Sequence, residues 1–207
     1  MIMSEITSIE PQKKDKERCS IFVDGRFYCG IKLEVAIKYH LKAGMQVEKS
    51  KLDEIQLETE KSQAMDKAMT HLSATMKTKK QMRDFLVKKG YTEAVINYVF
   101  DRLEYYKLLD DEAYCRAYVN SVSGKGKRAL EADLYKRGAE KSAIESVLSE
   151  IEENADEASA VLEKYMRGKA ATKDNLYKGF KYLLSKGFGY DTAKEALEKF
   201  GEIDEDY

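Results

Sequence analysis

Several residue types are scarce in this sequence of 207 residues, and each scarcity excludes a class of protein. There is one proline and no tryptophan, while Lys, Glu, Ala and Leu are abundant, a composition that favours helices. The three cysteines are scattered without CxxC spacing, which suits a reducing cytosol. No apolar run approaches the roughly 20 residues that cross a bilayer, and the N-terminus lacks the pattern of a signal peptide. We therefore expect a cytoplasmic protein without membrane contact.

The net charge is close to zero, but the charges are segregated along the chain. With 36 basic and 37 acidic residues the formal net charge is -1. Residues 77–89 carry six basic side chains and one acidic one, and residues 140–163 carry eight acidic and one basic. Residues 164–186 return to seven basic and one acidic. The local field is therefore more informative than the net charge.

The first 50 residues predict a small β-containing region that includes a helix. The runs EITSIE and RCSIFVDGRFYCGI are β-prone, and Asp24-Gly25 is a typical two-residue hairpin turn. Because a lone hairpin is marginal in water, we expect a third strand over 6–9 and a covering helix near 33–41. The polar stretch PQKKDKER, which separates the two β-prone runs, predicts a solvated turn.

The hairpin turn also predicts a register. It pairs Phe22 with Phe27, and the same register places Ser20 opposite Cys29. Strand alternation then predicts two faces, one with Phe22, Phe27 and Cys29 and the other with Ile21, Val23 and Tyr28.

Beyond residue 50 the pattern is helical and then repetitive. Residues 51–60 predict an exposed linker helix. Three later segments, FLVKKGY, DLYKRGA and LLSKGF, each place a leucine four residues before a glycine and an apolar residue directly after it. The glycines are Gly90, Gly138 and Gly187, which are 48 and 49 residues apart. This pattern predicts a Schellman ending, in which the glycine is left-handed and the next side chain packs near the leucine.

A second helix is predicted after each glycine, and a further one before each glycine-terminated helix. Apolar positions follow the glycines at i, i+4 and i+7 spacing, the buried stripe of a helix. They are Ile96, Phe100 and Leu103, then Ile144, Leu148 and Ile151, then Ala193, Leu197 and Phe200. The upstream helices are predicted near 62–76, 112–122 and 157–166.

Each unit is therefore three helices in about 48 residues, and such units pack mainly on their neighbours. We predict a mainly α fold, with tandem three-helix repeats in an extended array and a small N-terminal β-hairpin or β-meander region. The predicted boundaries are 1–50 for the β-containing region with its helix, 51–60 for the linker helix, 61–109, 110–153 and 154–207 for the repeats. The last repeat ends in an acidic tail, GEIDEDY.

The stretch SGKGKRAL, residues 123–130, looks like a phosphate-binding loop. A nucleotide P-loop needs Gly-x-x-x-x-Gly-Lys followed by Ser or Thr and is entered from a strand. Here Lys127 is followed by Arg128, and the stretch follows the helical segment EAYCRAYVNSV. The two glycines therefore predict a turn between helices. Whether Lys125, Lys127 and Arg128 also contact a partner stays open.

Cations recur at the predicted start of the middle helix. Counted back from the glycines, Lys79 and Lys80 match Lys127 and Arg128, while the third unit has Leu and Tyr there. A cation at a helix N-terminus opposes the helix dipole, so this arrangement has no evident folding role. Solvated charge and partner binding are both open interpretations. The candidate partner-binding residues are Lys79, Lys80, Arg83, Lys125, Lys127, Arg128, Lys136, Arg137, Lys173 and Lys178.

No group of residues predicts catalysis. Asp110, Asp111 and Glu112 stand at a predicted helix start, where N-capping and the helix dipole explain them. The two histidines, His40 and His71, have no partner at metal-ligand spacing. We therefore expect no enzyme, no metal site and no cofactor.

Residues 108–139, LLDDEAYCRAYVNSVSGKGKRALEADLYKRGA, resemble the central repeat of RecX proteins. The shared pattern is Leu-Asp-Asp-Glu, an aromatic residue two places on, Arg-Ala-aromatic-Val, a Gly-x-Gly turn and a Leu-x-x-x-Gly helix end. The matching positions are 109–112, Tyr114, 116–119, Gly124, Gly126, Leu134 and Gly138. Residues 6–31 are similar to the β-containing extension of longer members. Ala139 and Lys127 depart from the family, which has a larger aliphatic residue and a frequent proline there.

The resemblance implies a regulator of homologous recombination and DNA repair that binds the filament of RecA recombinase on single-stranded DNA. Such proteins inhibit the ATPase and strand exchange of the filament and have no catalytic residues. We expect a monomer that contacts single-stranded DNA weakly. The alternative is a direct DNA-binding protein, because small three-helix units resemble helix-turn-helix modules. The acidic stretch 140–163 and a pI near 6.2 count against strong autonomous DNA binding.

Overall fold

Four antiparallel strands form a sheet near the N-terminus of the computed structural model, which describes residues 3–13 and 15–204 and side chains through residue 201. The strands are β1 (Met3–Gln12), β2 (Asp15–Val23), β3 (Arg26–Lys32) and β4 (Met45–Glu48), in the sheet order β3-β2-β1-β4. The predicted third strand is confirmed as part of β1. The segment predicted as a solvated turn is mostly strand, since β1 and β2 extend into it. The short β4 was not predicted.

The hairpin register matches the prediction only beside its turn. Phe22 pairs with Phe27, but a β-bulge between Ile21 and Phe22 shifts the pairing, so Ile21 and not Ser20 lies opposite Cys29. Cys29 therefore packs against the core, while the two phenylalanine rings form an edge-to-face pair with centroids 5.8 Å apart. The predicted face of Cys29 was wrong, because one inserted residue reverses the strand alternation beyond it. Burial raises the pKa of the Cys29 thiol to about 11, which keeps it protonated at neutral pH.

Two helices close the core of the sheet. They are α1 (Leu33–Lys38), which confirms the predicted covering helix, and α2 (Lys49–Ala74). Leu52 and Ile55 of α2 are buried in the same core as Ile6 and Ile31. The segment 51–60 is therefore not an exposed linker: it is the first half of one continuous helix whose second half is the predicted upstream helix of the first repeat. The charged residues between its apolar positions made this segment look solvent-exposed in the sequence, although one of its faces is buried.

The described chain beyond α2 is helical. Eight helices follow: α3 (Lys79–Lys88), α4 (Glu93–Tyr105), α5 (Asp111–Ser121), α6 (Lys127–Arg137), α7 (Lys141–Ser149), α8 (Ala155–Met166), α9 (Lys173–Ser185) and α10 (Tyr190–Asp204). The mainly α fold with tandem three-helix units and a small N-terminal β region is confirmed. Residues 205–207 of the predicted acidic tail lie outside the described residues.

The three predicted glycine endings share one geometry. Gly90, Gly138 and Gly187 follow α3, α6 and α9 and have φ values of 85°, 80° and 89°. In each ending the glycine amide donates to the carbonyl three residues back at 2.9–3.0 Å. The next amide donates to the carbonyl of the preceding leucine at 3.2–3.3 Å, and that leucine is fully buried. These are the two hydrogen bonds of a Schellman motif, so the local sequence predicts these helix ends correctly.

The stripes of the second helices are confirmed at their first positions. Ile96, Ile144 and Ala193 are fully buried in α4, α7 and α10. The third position of the stripe differs in the second repeat. There α7 ends at Ser149, and Ile151 lies beyond it, partly buried against the same core.

Within the described residues the chain divides into two compact units. One lies within 1–75 and 82–108, and the other within 76–81 and 109–207. The first turn of α3 therefore belongs to the second unit, although the rest of α3 belongs to the first. Among the described residues, no helix is both long and apolar enough to span a membrane.

Candidate functional site

The turn SGKGKRAL is closed by hydrogen bonds to protein groups. Its amides at 124, 126, 127 and 128 all donate to carboxylates or carbonyls of the second unit. Gly126 is buried, and a Cβ at this position would lie 2.2 Å from the amide nitrogen of Phe188. A P-loop offers such amides to phosphate, whereas here these four are already occupied. The turn therefore does not act as a nucleotide cradle.

Glu153 joins this turn to the end of α9. Its Oε1 accepts from the amide of Lys127 at 2.9 Å. Its Oε2 accepts from the amide of Gly189 at 2.7 Å and from the hydroxyl of Thr192 at 2.9 Å. Lys127 begins α6, and a carboxylate is favourable there because the first amides of a helix lack partners within it. One side chain thus fastens the middle helix of the second repeat to the third repeat.

Asp111 makes the same connection one repeat earlier. Its Oδ1 accepts from the amide of Lys79 at 2.8 Å, and its Oδ2 accepts from the amide of Glu140 at 2.7 Å. Relative to the glycine endings, these amides stand at the places of Lys127 and Gly189. Asp111 is only 3% exposed, so the two amides compensate a carboxylate that water barely reaches. We call these two arrangements the Asp111 joint and the Glu153 joint.

A capping box strengthens the Asp111 joint. The Thr78 hydroxyl accepts from the amide of Gln81 at 3.1 Å, and the Gln81 side chain accepts from the amide of Thr78 at 3.2 Å. The same hydroxyl donates to the carbonyl of Arg137, the last residue of α6, at 3.1 Å. The first turn of α3 is therefore capped and attached to the next repeat by one threonine.

The cations at the start of α3 take part in this joint. The ammonium of Lys79 lies 3.5 Å from a carboxylate oxygen of Glu140. The stem of Lys80 covers Gly138, where an added Cβ would lie 2.5 Å from the Lys80 Cδ. The expectation that these cations have no folding role was therefore wrong for both lysines, because their backbone or stem contributes to repeat packing.

Two further candidates form exposed ion pairs. Nη1 of Arg83 lies 2.6 Å from Oε2 of Glu93, and Nζ of Lys178 lies 2.7 Å from Oδ2 of Asp174. Exposed pairs of this kind stabilise a fold only slightly. Both cations can exchange their carboxylate for another anion.

Lys125 and Arg137 belong to a small polar cluster around Tyr118. Lys125 contacts Asp133, which also accepts from the Tyr118 hydroxyl at 2.8 Å. The hydrogen bond to Asp133 raises the pKa of Lys125, and the hydrogen bonds from Lys125 and Tyr118 lower the pKa of Asp133. The Arg137 guanidinium lies 4.4 Å from the centroid of the Tyr118 ring. These two cations are therefore held within the second repeat.

Four candidates carry charged groups that have no carboxylate or ring partner among the described residues. They are Lys127, Arg128, Lys136 and Lys173. The first two are neighbours in the first turn of α6, and the amide of Lys127 belongs to the Glu153 joint. Among the predicted set, these groups are the most available to an external anion.

Three family models match this chain. They are the N-terminal domain of regulatory protein RecX over residues 4–48, the first RecX three-helix domain over 64–103 and the second over 110–148. A regulatory protein RecX of Clostridium botulinum (strain Eklund 17B / Type B) is 31% identical over 95% of this chain and 96% of its own length. The chain belongs to the RecX family. A second RecX relative, from Bacillus subtilis (strain 168), is 32% identical over 99% of this chain and 80% of its own length.

Solved RecX structures share the fold. One crystal structure of a regulatory protein RecX covers 94% of this chain and 99% of its own, with a TM-score of 0.76 and 23% identity. RecX from Lactobacillus salivarius covers 68% of this chain and 96% of its own, with a TM-score of 0.64 and 23% identity. The matched RecX domains end at residue 148, so α8–α10 lie beyond them. The RecX relatives above are nevertheless aligned over 95–99% of the chain and the first solved structure over 94%, so both comparisons extend into this third repeat.

Sequence reasoning missed both joint carboxylates of this RecX chain. Asp110 is confirmed as the N-cap of α5, since it accepts from the amide of Ala113 at 3.0 Å. Its neighbour Asp111 is an ordinary residue for a first helical turn, so nothing in the sequence marks it as the buried one. The signal that was available is Thr-x-x-Gln at 78–81, the pattern of a capping box.

Proposed function

We propose that this chain is a non-catalytic regulator of homologous recombination and DNA repair. It binds the RecA–single-stranded-DNA filament as a monomer in the cytoplasm, and it inhibits the ATPase and strand exchange of that filament. Membership of the RecX family supports the regulatory part of this proposal. The resemblance of residues 108–139 to the central RecX repeat supports the choice of partner.

The recurrence of one joint is the observation that carries the proposal. Asp111 and Glu153 each bind the first amide of a middle helix and the amide two residues after the next glycine ending. The first turns of α3 and α6 are therefore attached to the next repeat through equivalent backbone amides. A filament offers the same surface once per subunit, so a ligand with equivalent sites can occupy several subunits at once. The second contact is then intramolecular, which strengthens weak individual contacts.

The surface at the start of α6 is positively charged. Lys127 and Arg128 are exposed or half-exposed without carboxylate partners among the described residues, and the acidic stretch 140–163 begins after the end of α6. Complementary charge on a partner accelerates encounter and fixes register more than it adds affinity. We therefore assign these two cations to orientation on the filament.

Charge reversal of both cations tests the proposal. We expect the variant Lys127→Glu/Arg128→Glu to require about tenfold more protein for half-inhibition of the RecA ATPase on single-stranded DNA, as loss of charge complementarity predicts. Glutamate is favourable at a helix N-terminus, so the fold is retained, which circular dichroism checks. The neutral pair Lys127→Gln/Arg128→Gln shows whether added repulsion from Glu153 contributes.

The matched control is Lys141→Glu/Lys194→Glu, which reverses two exposed lysines elsewhere on the second unit. It has the same net charge as the test variant, and we expect it to inhibit like the unmodified chain. Equal inhibition by all variants would remove Lys127 and Arg128 from the proposed surface.

Direct DNA binding is the competing function, and affinities separate the two. We expect the chain to bind RecA-coated single-stranded DNA more tightly than either RecA-free DNA or free RecA. Equal affinity for bare and coated DNA, with a steep loss of binding at higher salt, would favour the DNA-binding alternative.

A further inference from the structure

The third repeat carries cations that few carboxylates neutralise. Residues 164–186 contain seven basic residues and one acidic residue, Asp174, which pairs with Lys178. Lys164, Arg167 and Lys173 have no carboxylate partner among the described residues. This basic segment runs from the end of α8 through α9, outside the RecX domains matched above.

Three other cations of the segment lie over tyrosine rings. Each follows its tyrosine by four residues, which places the two side chains on one face where the segment is helical. The ammonium-to-centroid distances are 3.3 Å for Lys169 on Tyr165, 4.5 Å for Lys181 on Tyr177 and 5.2 Å for Lys186 on Tyr182. These are cation–π contacts. The positive charge is therefore interleaved with flat aromatic surface.

Two of these tyrosines stack on each other at the wall of a groove. The rings of Tyr165 and Tyr182 have centroids 4.4 Å apart and an interplanar angle of 20°. The groove has a volume of about 670 Å³, within the range of small-ligand sites. It is lined by Ser123, Gly124, Glu157, Ala160, Val161, Lys164, Tyr165, Tyr182 and Lys186. Its one carboxylate, Glu157, accepts from the amide of Gly124 through one oxygen, and its single negative charge stands against the two lysines of the lining.

We propose that this groove and the basic segment beside it bind single-stranded nucleic acid. A chain with one anionic group per unit satisfies the unpaired cations, and its bases match the tyrosine surface. Proteins that bind single strands without sequence preference use this combination of a basic groove and aromatic rings. Duplex DNA fits less well because its bases are stacked inside, and an acidic polypeptide offers charge without flat rings.

The lysines have two positions available in this scheme. In the free chain the ammonium groups of Lys169 and Lys186 lie over the tyrosine rings. When a strand binds, bases take the ring faces, and the flexible lysine stems carry the charges to neighbouring phosphates. Base stacking on an aromatic ring is stronger than a solvent-exposed cation–π contact, so the exchange favours the bound state. No covalent step is involved.

This inference deepens the proposed function, because a regulator of a filament on single-stranded DNA meets that strand at gaps and ends. It is tested on the full chain without RecA. The probe is a fluorescent oligothymidylate of about 12 nucleotides, a length that spans one binding site of this type, and the readout is anisotropy. We expect Tyr182→Ala to weaken binding about tenfold, the usual effect of losing one base-stacking ring.

Matched variants keep the test independent of folding. Tyr135→Ala removes an exposed tyrosine of α6 outside the groove, and we expect it to bind like the unmodified chain. Lys164→Gln/Lys186→Gln leaves the tyrosines in place, and we expect it to reduce the slope of log affinity against log salt by about 1.4, that is about 0.7 per lost phosphate contact. The control Lys141→Gln/Lys194→Gln removes two ion-paired lysines and should leave the slope unchanged.

The outcomes separate this inference from the proposed function. Binding of duplex as tight as that of the oligothymidylate, or loss of the oligothymidylate to an excess of polyglutamate of equal charge, would overturn the choice of a single strand. Groove variants that bind like their controls would overturn the site. Inhibition of the RecA filament is measured separately: a chain that inhibits but does not bind the strand contradicts only the inference, and the reverse result contradicts only the proposed function.

Discussion

The second and third repeats share one helical plan, but their basic side chains differ in the groups that they contact. In α5–α7, Arg116 forms an ion pair with Glu150, and Lys125 forms one with Asp133. In α8 and α9, Lys178 pairs with Asp174 and Lys181 lies over the Tyr177 ring, while Lys164 and Lys173 have no carboxylate partner among the described residues. The plan depends on the glycine endings of both repeats and on the two carboxylates, Asp111 and Glu153, that join successive repeats. The surface charge is independent of that plan, so it can differ between repeats without changing the fold.

The two joints also differ in their exposure. Asp111 is buried and accepts from two amides, whereas Glu153 is half-buried and accepts from two amides and a hydroxyl. Water can replace a lost acceptor at Glu153 but hardly at Asp111. Removal of the carboxylate should therefore destabilise the fold more at the Asp111 joint than at the Glu153 joint.

The largest effect is expected for Asp111→Ala. It leaves the amides of Lys79 and Glu140 without an acceptor in a buried place, and we expect the free energy of unfolding to fall by about 3 kcal/mol. Urea denaturation measures this loss, and hydrogen exchange at the two amides locates it. Asp111→Asn should recover part of the loss, because asparagine retains one acceptor oxygen.

Glu153→Ala is the comparison for the second joint, with an expected loss of about 2 kcal/mol because water reaches its donors. A larger loss at Glu153 than at Asp111 would contradict the argument from burial.

The next effect is expected at the turn between α5 and α6. Gly126→Ala places a Cβ 2.3 Å from the carbonyl oxygen of Gly187, so the Glu153 joint must open, at an expected cost of about 2 kcal/mol. Gly168→Ala is the matched substitution in the third repeat. Its φ of 78° is unfavourable for alanine, but nothing lies within 4 Å, so backbone strain alone should cost about 1 kcal/mol. Thermal unfolding of both variants measures the difference, and equal losses would show that crowding at Gly126 is unimportant.

The smallest effect is expected at the polar cluster of the second repeat. The pKa of Asp133 is lowered in the folded chain by hydrogen bonds from Lys125 and Tyr118. Its ionised form is therefore favoured by folding, and this stabilisation is fully present above the usual aspartate pKa of about 3.9. The stabilisation is lost as the pH falls through the lower folded pKa. Asp133→Asn should be slightly less stable than the unmodified chain at neutral pH and equally stable in strong acid.

Melting temperatures of Asp133→Asn across this pH range check the sign. Tyr118→Phe removes one of the two hydrogen bonds and should give an intermediate result. A difference that grows toward acid pH would contradict the assignment.

Local sequence was sufficient for the helix ends and the repeat. A leucine, a glycine and an apolar residue at fixed spacing satisfy the last carbonyls of a helix within one turn of chain, so Gly90, Gly138 and Gly187 could be read without any distant partner. The Asp24-Gly25 turn and the N-cap at Asp110 are local in the same way. The prediction that residues 51–60 form an exposed linker was wrong, because the packing of the sheet, and not the helix itself, determines which face of α2 is covered.

The amino-acid sequence by itself determined the mainly helical class, the three related units and the glycine ends that separate their helices, because each depends on interactions within about one turn. Only the tertiary structure decided that Asp111 and Glu153 are joints, since their donors lie 32 and 26 residues away along the chain. It also decided the β-bulge that turns Cys29 toward the core, and the stacking of Tyr165 on Tyr182. Such contacts depend on how separate elements pack. No local pattern in the sequence shows which residues from distant segments will come together.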